Sequence, residues 1–109
     1  MKPKTIAARI ADVAKDKKAD DVVIMNIQKV SDIAYYFVIC TANSVPHAKA
    51  LAEEIEKKAG SPGHIEGYSY ANWILLDYIN VVVHIFLKPV REYYKLENIF
   101  GDVPIEKVE

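Results

Sequence analysis

The order of apolar and polar positions divides the chain into two helical stretches and four extended ones. From Pro3 to about Lys17 the apolar residues Ile6, Ile10, Val13 and Ala14 recur at spacings of three and four, which predicts an amphipathic helix with a first-turn proline. Val22-Val23-Ile24-Met25-Asn26-Ile27 is β-branched and too short for a helix that must cover an apolar face, so it predicts a strand. After a polar turn at Gln28 to Asp32, Tyr35-Tyr36-Phe37-Val38-Ile39-Cys40 is almost continuously apolar, as in a strand buried in the middle of a sheet. Thr41 to Ser44 offers capping groups ahead of Pro46, and Ala48, Leu51, Ala52, Ile55 and Ala59 keep helical period until Gly60. Its outer face, from Lys49 to Lys58, mixes Lys and Glu and is a solvated surface.

Ser61-Pro62-Gly63-His64 reads as a loop, and Trp73–Tyr78, a turn at Ile79-Asn80 and Val81–Leu87 read as a hairpin. A two-residue turn sets Tyr78 opposite Val81, Leu76 opposite Val83 and Ile74 opposite Ile85. Alternation then puts Ile74, Leu76, Tyr78, Val81, Val83 and Ile85 on one face, and Trp73, Leu75 and Asp77 with Phe86, His84 and Val82 on the other. Lys88-Pro89 ends the second strand, and short helical turns are predicted from Pro89 and over Leu96 to Phe100.

These elements predict one α/β domain over residues 1–109 with a mixed sheet of four to five strands. Two helices can blanket one side of such a sheet, and little chain remains for the other. The first hairpin face is therefore expected to be core, and the Trp73 face an uncovered surface of the aromatic kind that protein interfaces use, the alternative being that about the last twenty residues fold back over it.

Composition narrows the function. Hydrophobic residues make up 51% and charged residues 27%, which fits a globular protein. Fourteen Lys and Arg against fifteen Asp and Glu leave a formal charge of -1, so little direct nucleic-acid contact is expected. The single cysteine, Cys40, excludes an internal disulfide and a thiolate-rich zinc site. No stretch reaches the ~18 apolar residues that span a bilayer, and the N-terminus has no signal-peptide core, so a cytoplasmic protein without membrane contact is expected.

Candidate chemistry is sparse. Ser44 and His47 are three residues apart, but Ser44 has the position of a helix cap and no Gly-x-Ser-x-Gly elbow surrounds it. His47, His64 and His84 lie far apart, with no ligand at helical spacing, so no metal is expected. Asp77 and His84 share the Trp73 face and are candidates for a charge-assisted hydrogen bond or a general-base pair, and such pairs more often order a surface than do chemistry. The strand-to-helix junction Cys40–Ser44 lacks the glycines of a phosphate loop, and no Asp-x-Asp pair is near it.

Several separated motifs resemble one family. Ser31-Asp32-Ile33-Ala34-Tyr35-Tyr36-Phe37-Val38-Ile39-Cys40-Thr41 is followed by Ser44 and His47, Glu66-Gly67, Trp73–Tyr78, Val81–Phe86, Arg91-Glu92-Tyr93-Tyr94, Leu96-Glu97 and Gly101-Asp102. In this order, across roughly Asp20 to Pro104, they resemble the ribosomal silencing factor family, also called Iojap or YbeB-like. The resemblance implies a nucleotidyltransferase-like mixed sheet without catalytic carboxylates, no enzyme activity and no cofactor. It implies a translational repressor that binds the large ribosomal subunit through its L-fourteen protein and sterically blocks the small subunit. Family motif positions fall on Trp73, Asp77, His84, Arg91, Tyr94, Gly101 and Asp102. Together with the hairpin argument this makes Trp73, Leu75, Asp77, Val82, His84, Phe86, Arg91, Tyr94 and Phe100 the expected partner-binding residues. The chain departs from the family pattern with Ile79-Asn80 in place of a Gly-Asp turn, Phe100 in place of a Trp, and no glycine near Ala42-Asn43.

Two rival readings bear on the same residues. A small nucleotidyltransferase-like enzyme would need Asp32, Asp77 or Asp102 clustered around Mg²⁺. A homodimer would pair the Trp73 face with itself when no other partner is present.

Overall fold

Apolar periodicity and proline placement set the first helix, α1 (Pro3–Asp16), which buries Ala7, Ile10, Ala11, Val13 and Ala14. The structure is a computed structural model that describes residues 2–109. Strands β1 (Asp20–Asn26) and β2 (Tyr36–Ala42) follow, then α2 (Val45–Ala59), β3 (His64–Glu66), β4 (Trp73–Asp77), β5 (Val81–Leu87), α3 (Lys88–Tyr94), a 3-10 turn over Leu96–Asn98, and β6 (Ile105–Lys107). Ser44 caps α2, its Oγ accepting from the His47 N–H at 3.2 Å, and Pro46 sits in the first turn.

One mixed sheet of six strands runs in the order β3-β4-β5-β2-β1-β6. β2 and β5 are parallel, and every other pair is antiparallel. The count exceeds the expected four to five because β3 and β6 are each three residues long with every residue exposed. Such short edge strands carry no apolar alternation for a sequence to display, and β3 begins at His64, inside the expected loop.

The hairpin pairs Trp73 with Phe86, Ile74 with Ile85, Leu75 with His84, Leu76 with Val83 and Asp77 with Val82, as a two-residue turn predicts. Ile79 makes that turn at φ 74°. The Tyr78 N–H donates to Val81 O at 2.9 Å, and Asp77 Oδ1 accepts from the Ile79 N–H at 2.8 Å.

α1 and α2 cover the face of Ile74, Leu76, Val81, Val83 and Ile85, together with Val38 and Cys40 of β2. The opposite face, expected to be open, is covered in large part by the chain's own C-terminal segment. Val23, Met25, Phe37, Ile39, Val82 and Phe86 form a second core with Leu96, against which Val90, Phe100 and Val103 pack. Topology explains the correction. The chain leaves β5 and must reach β6, beyond β2 and β1, so the residues from α3 to Val103 pass over that side of the sheet.

Candidate functional site

Trp73 is placed by backbone before its side chain finds partners. Gly67 has φ 79°, and a Cβ there would lie 2.0 Å from the Trp73 carbonyl oxygen, so the loop passes the start of β4 at a distance only glycine tolerates. The Leu87 N–H donates to Asn72 O at 3.0 Å, tying the same end of β4 to β5. The half-buried indole then lies 4.8 Å from the Phe86 ring and 4.9 Å from the Tyr94 ring, centroid to centroid.

Its Nε1–H donates to His84 Nδ1 at 3.1 Å. His84 is 3% exposed, edge-on to Phe37 at 4.5 Å and stacked with Phe86 at 6.1 Å. Burial pushes the imidazole pKa down to about 4, so the ring is neutral near pH 7. Because Nδ1 accepts from the indole, the ring proton resides on Nε2, which is buried without a partner.

Arg91 is internal. Its Nη1 donates to Asp21 O at 2.5 Å and to Thr41 Oγ1 at 2.8 Å, while Nε and Nη2 reach Glu97 Oε2 at 3.1 and 3.0 Å. One guanidinium thus joins α3 to the start of β1, the end of β2 and the 3-10 turn. Its fixed planar fork suits this use in a way a lysine would not.

The expected partner-binding residues therefore divide. Trp73, Leu75, Asp77 and Phe100 are half-buried and Tyr94 is 50% exposed, so these still offer surface. Val82, His84, Phe86 and Arg91 are buried, and their expected place at a surface is corrected: the segment from α3 to Val103 covers the sheet residues, and Arg91 turns inward to bond. The structure brings Trp73, His84, Phe86 and Tyr94 into one cluster, with Phe100 against Phe37 at 5.6 Å. Asp77 and His84 do not pair, since Asp77 bonds the turn and His84 the indole.

Sequence reasoning missed four participants. Tyr93, 80% exposed and edge-on to Tyr94 at 5.0 Å, and Ile99, 61% exposed, enlarge the apolar surface on the covering segment. Adjacent tyrosines and an Ile-Phe pair outside any periodic stretch were the available signal. Thr41 and Glu97, the side-chain partners of Arg91, stand in the family-like motifs, but no local spacing ties either of them to Arg91.

Elsewhere the polar groups serve the fold. His47 Nδ1 accepts from the Asn43 N–H at 2.9 Å and its Nε2 meets Lys17 O at 2.8 Å, so the ring ties α2 to the end of α1 and does not activate Ser44. Burial pushes the Cys40 thiol up to about 12, which leaves it unreactive. Among the described residues no three of His, Cys, Asp or Glu come together as a metal site, and no helix is long and apolar enough to cross a membrane. A cleft of about 720 Å³ behind Arg91 mixes Lys15, Lys88, Lys95 and Lys107 with Asp21, Glu92 and Glu97.

The family model described as "Ribosomal silencing factor during starvation" matches residues 1–109. A ribosomal silencing factor of Halalkalibacterium halodurans is 44% identical over 98 residues, covering 86% of this chain and 84% of that protein. One from Bacillus subtilis is 37% identical, covering 100% of this chain and 96% of its own. A crystal structure of a Chromobacterium violaceum protein superposes with a TM-score of 0.88 at 27% identity, covering 100% of this chain and 94% of that one.

Proposed function

The chain belongs to the family of ribosomal silencing factors, and from that membership we propose that it represses translation by binding the large ribosomal subunit and standing where the small subunit would join. The contact is with the subunit's L-fourteen protein, it acts in the cytoplasm, and the mechanism is steric, with no reaction catalysed and no cofactor. The observation that supports a protein-binding role is the Trp73 cluster: an indole braced by Phe86, Tyr94 and His84 that remains partly exposed, with Leu75 on the same face of β4. An aromatic group already held in place loses little rotamer freedom on binding and suits the centre of an interface. Asp77 stands at the margin of this patch and gives it a polar rim.

Co-sedimentation with purified large subunits on a sucrose gradient tests the reading. Wild-type protein is expected to travel with the subunit and to reduce its joining with the small one. Trp73→Ala is expected to lose about 2 kcal/mol or more of binding. Undiminished comigration of Trp73→Ala would move the site away from this face.

A further inference from the structure

We propose that Arg91 is a positioning residue for the Trp73 surface: by fastening α3 and the 3-10 turn to the sheet, it holds Tyr94 against the indole and keeps the surface in its binding shape. The proposal rests on the subunit-binding role of that surface.

α3 is seven residues long, has no side-chain cap and ends at Lys95 in the left-handed region at φ 46°, so little within the segment itself keeps it in place. The segment is held to the sheet by Val90, Leu96, Phe100 and Val103 packed on the second core, and by the Arg91 guanidinium, which alone among these adds directional bonds to β1 and β2. Tyr94 lies one helical turn beyond Arg91 on the same helix, so the guanidinium and the ring that packs on Trp73 move together.

A guanidinium 9% exposed needs its hydrogen bonds, and Asp21 O, Thr41 Oγ1 and Glu97 Oε2 supply them from three separate elements, so one placement of α3 satisfies it. Buried ionic groups are best attested where they fix one geometry among alternatives.

Leu96 and Phe100 follow Arg91 in the same crossing segment and cover Phe37 and Ile39. Letting the segment shift would therefore change the indole's surroundings and the apolar outline around it while leaving the helix-covered core untouched.

Trp73 is the single tryptophan, so its fluorescence reads the proposal directly. Arg91→Lys keeps the charge and loses the fork. It is expected to leave the far-ultraviolet circular dichroism unchanged, shift Trp73 emission to the red, make the indole more readily quenched by acrylamide, and weaken co-sedimentation with large subunits about tenfold. Tyr94→Ala is expected to reproduce the emission shift. Weakened binding with unchanged emission would overturn the proposal, because Arg91 would then be acting otherwise than through the indole; shifted emission with full binding would overturn it equally. If Arg91→Lys does not fold, Glu97→Gln takes its place in the same measurements, and the same pairings of emission and binding support or overturn the proposal. Failure of the wild-type protein itself to co-sediment would overturn the subunit-binding role and the dependence of binding on Arg91, while the emission comparison would still decide whether Arg91 sets the indole.

Discussion

The Trp73 indole N–H and His84 Nδ1 are 3.1 Å apart, across the β4–β5 pair and on the face away from α1 and α2. This bond needs a neutral imidazole, since a protonated ring has no lone pair at Nδ1 to accept with. It makes the orientation of a half-exposed aromatic group depend on the charge of a buried one.

The pH dependence follows in sign. In the unfolded chain His84 takes a proton near its ordinary pKa of 6.5, whereas burial lowers the folded value to about 4. Below pH 6.5 the unfolded state binds more protons, so stability is complete above that pH and is lost as the pH falls toward 4. The loss across the whole window is at most about 3.5 kcal/mol. Urea midpoints between pH 7 and 5 should fall in the wild type. They should fall less in His84→Asn, which keeps an acceptor for the indole and does not titrate.

Gly67→Ala should cost more than an exposed loop substitution ordinarily does. The new Cβ would meet the Trp73 carbonyl, a backbone atom that cannot swing aside, at a residue already at φ 79°. A loss of about 2 kcal/mol or more is expected, read as a lowered urea midpoint. Emission from Trp73 should shift as well, since relief of the clash moves the start of β4.

Much of this was legible in the sequence. Register and facing of the hairpin followed from period two and a two-residue turn, because one slipped residue would have put Trp73 and Asp77 under the helices. The cover over Phe86 and His84 was legible only as an alternative, because the segment after α3 has no period. Its route is set by β6, three residues whose pairing with β1 is visible only in three dimensions. Arg91 misled for a related reason. A charged residue in a motif reads as surface, and its acceptors on Asp21 and Thr41 lie 70 and 50 positions away in the chain.

Ile79 offers a gain instead of a loss. It is β-branched, 73% exposed and held at φ 74°, a conformation that costs an L-residue ~1–2 kcal/mol. Ile79→Gly removes that cost and gives back part of it, ~0.5–1 kcal/mol, as added freedom of the unfolded chain. The net expectation is a stabilisation of about 0.5–1 kcal/mol, visible as a raised midpoint in urea. A lowered midpoint would mean that the exposed isoleucine makes packing contacts worth more than its strain.

The extent of the binding surface is decided at Ile99. This side chain sits just after the 3-10 turn, 61% exposed, next to Phe100, whose ring packs on Phe37. Nothing in its exposure gives it a stabilising role, so Ile99→Asp should change the urea midpoint by no more than about 0.5 kcal/mol. If the covering segment is part of the contact, the same substitution places a charge where apolar surface must be desolvated, and co-sedimentation with large subunits should weaken about tenfold. Full binding by Ile99→Asp together with loss by Trp73→Ala would confine the contact to β4 and Tyr94, and would make the residues beyond Leu96 a cover for the sheet and nothing more.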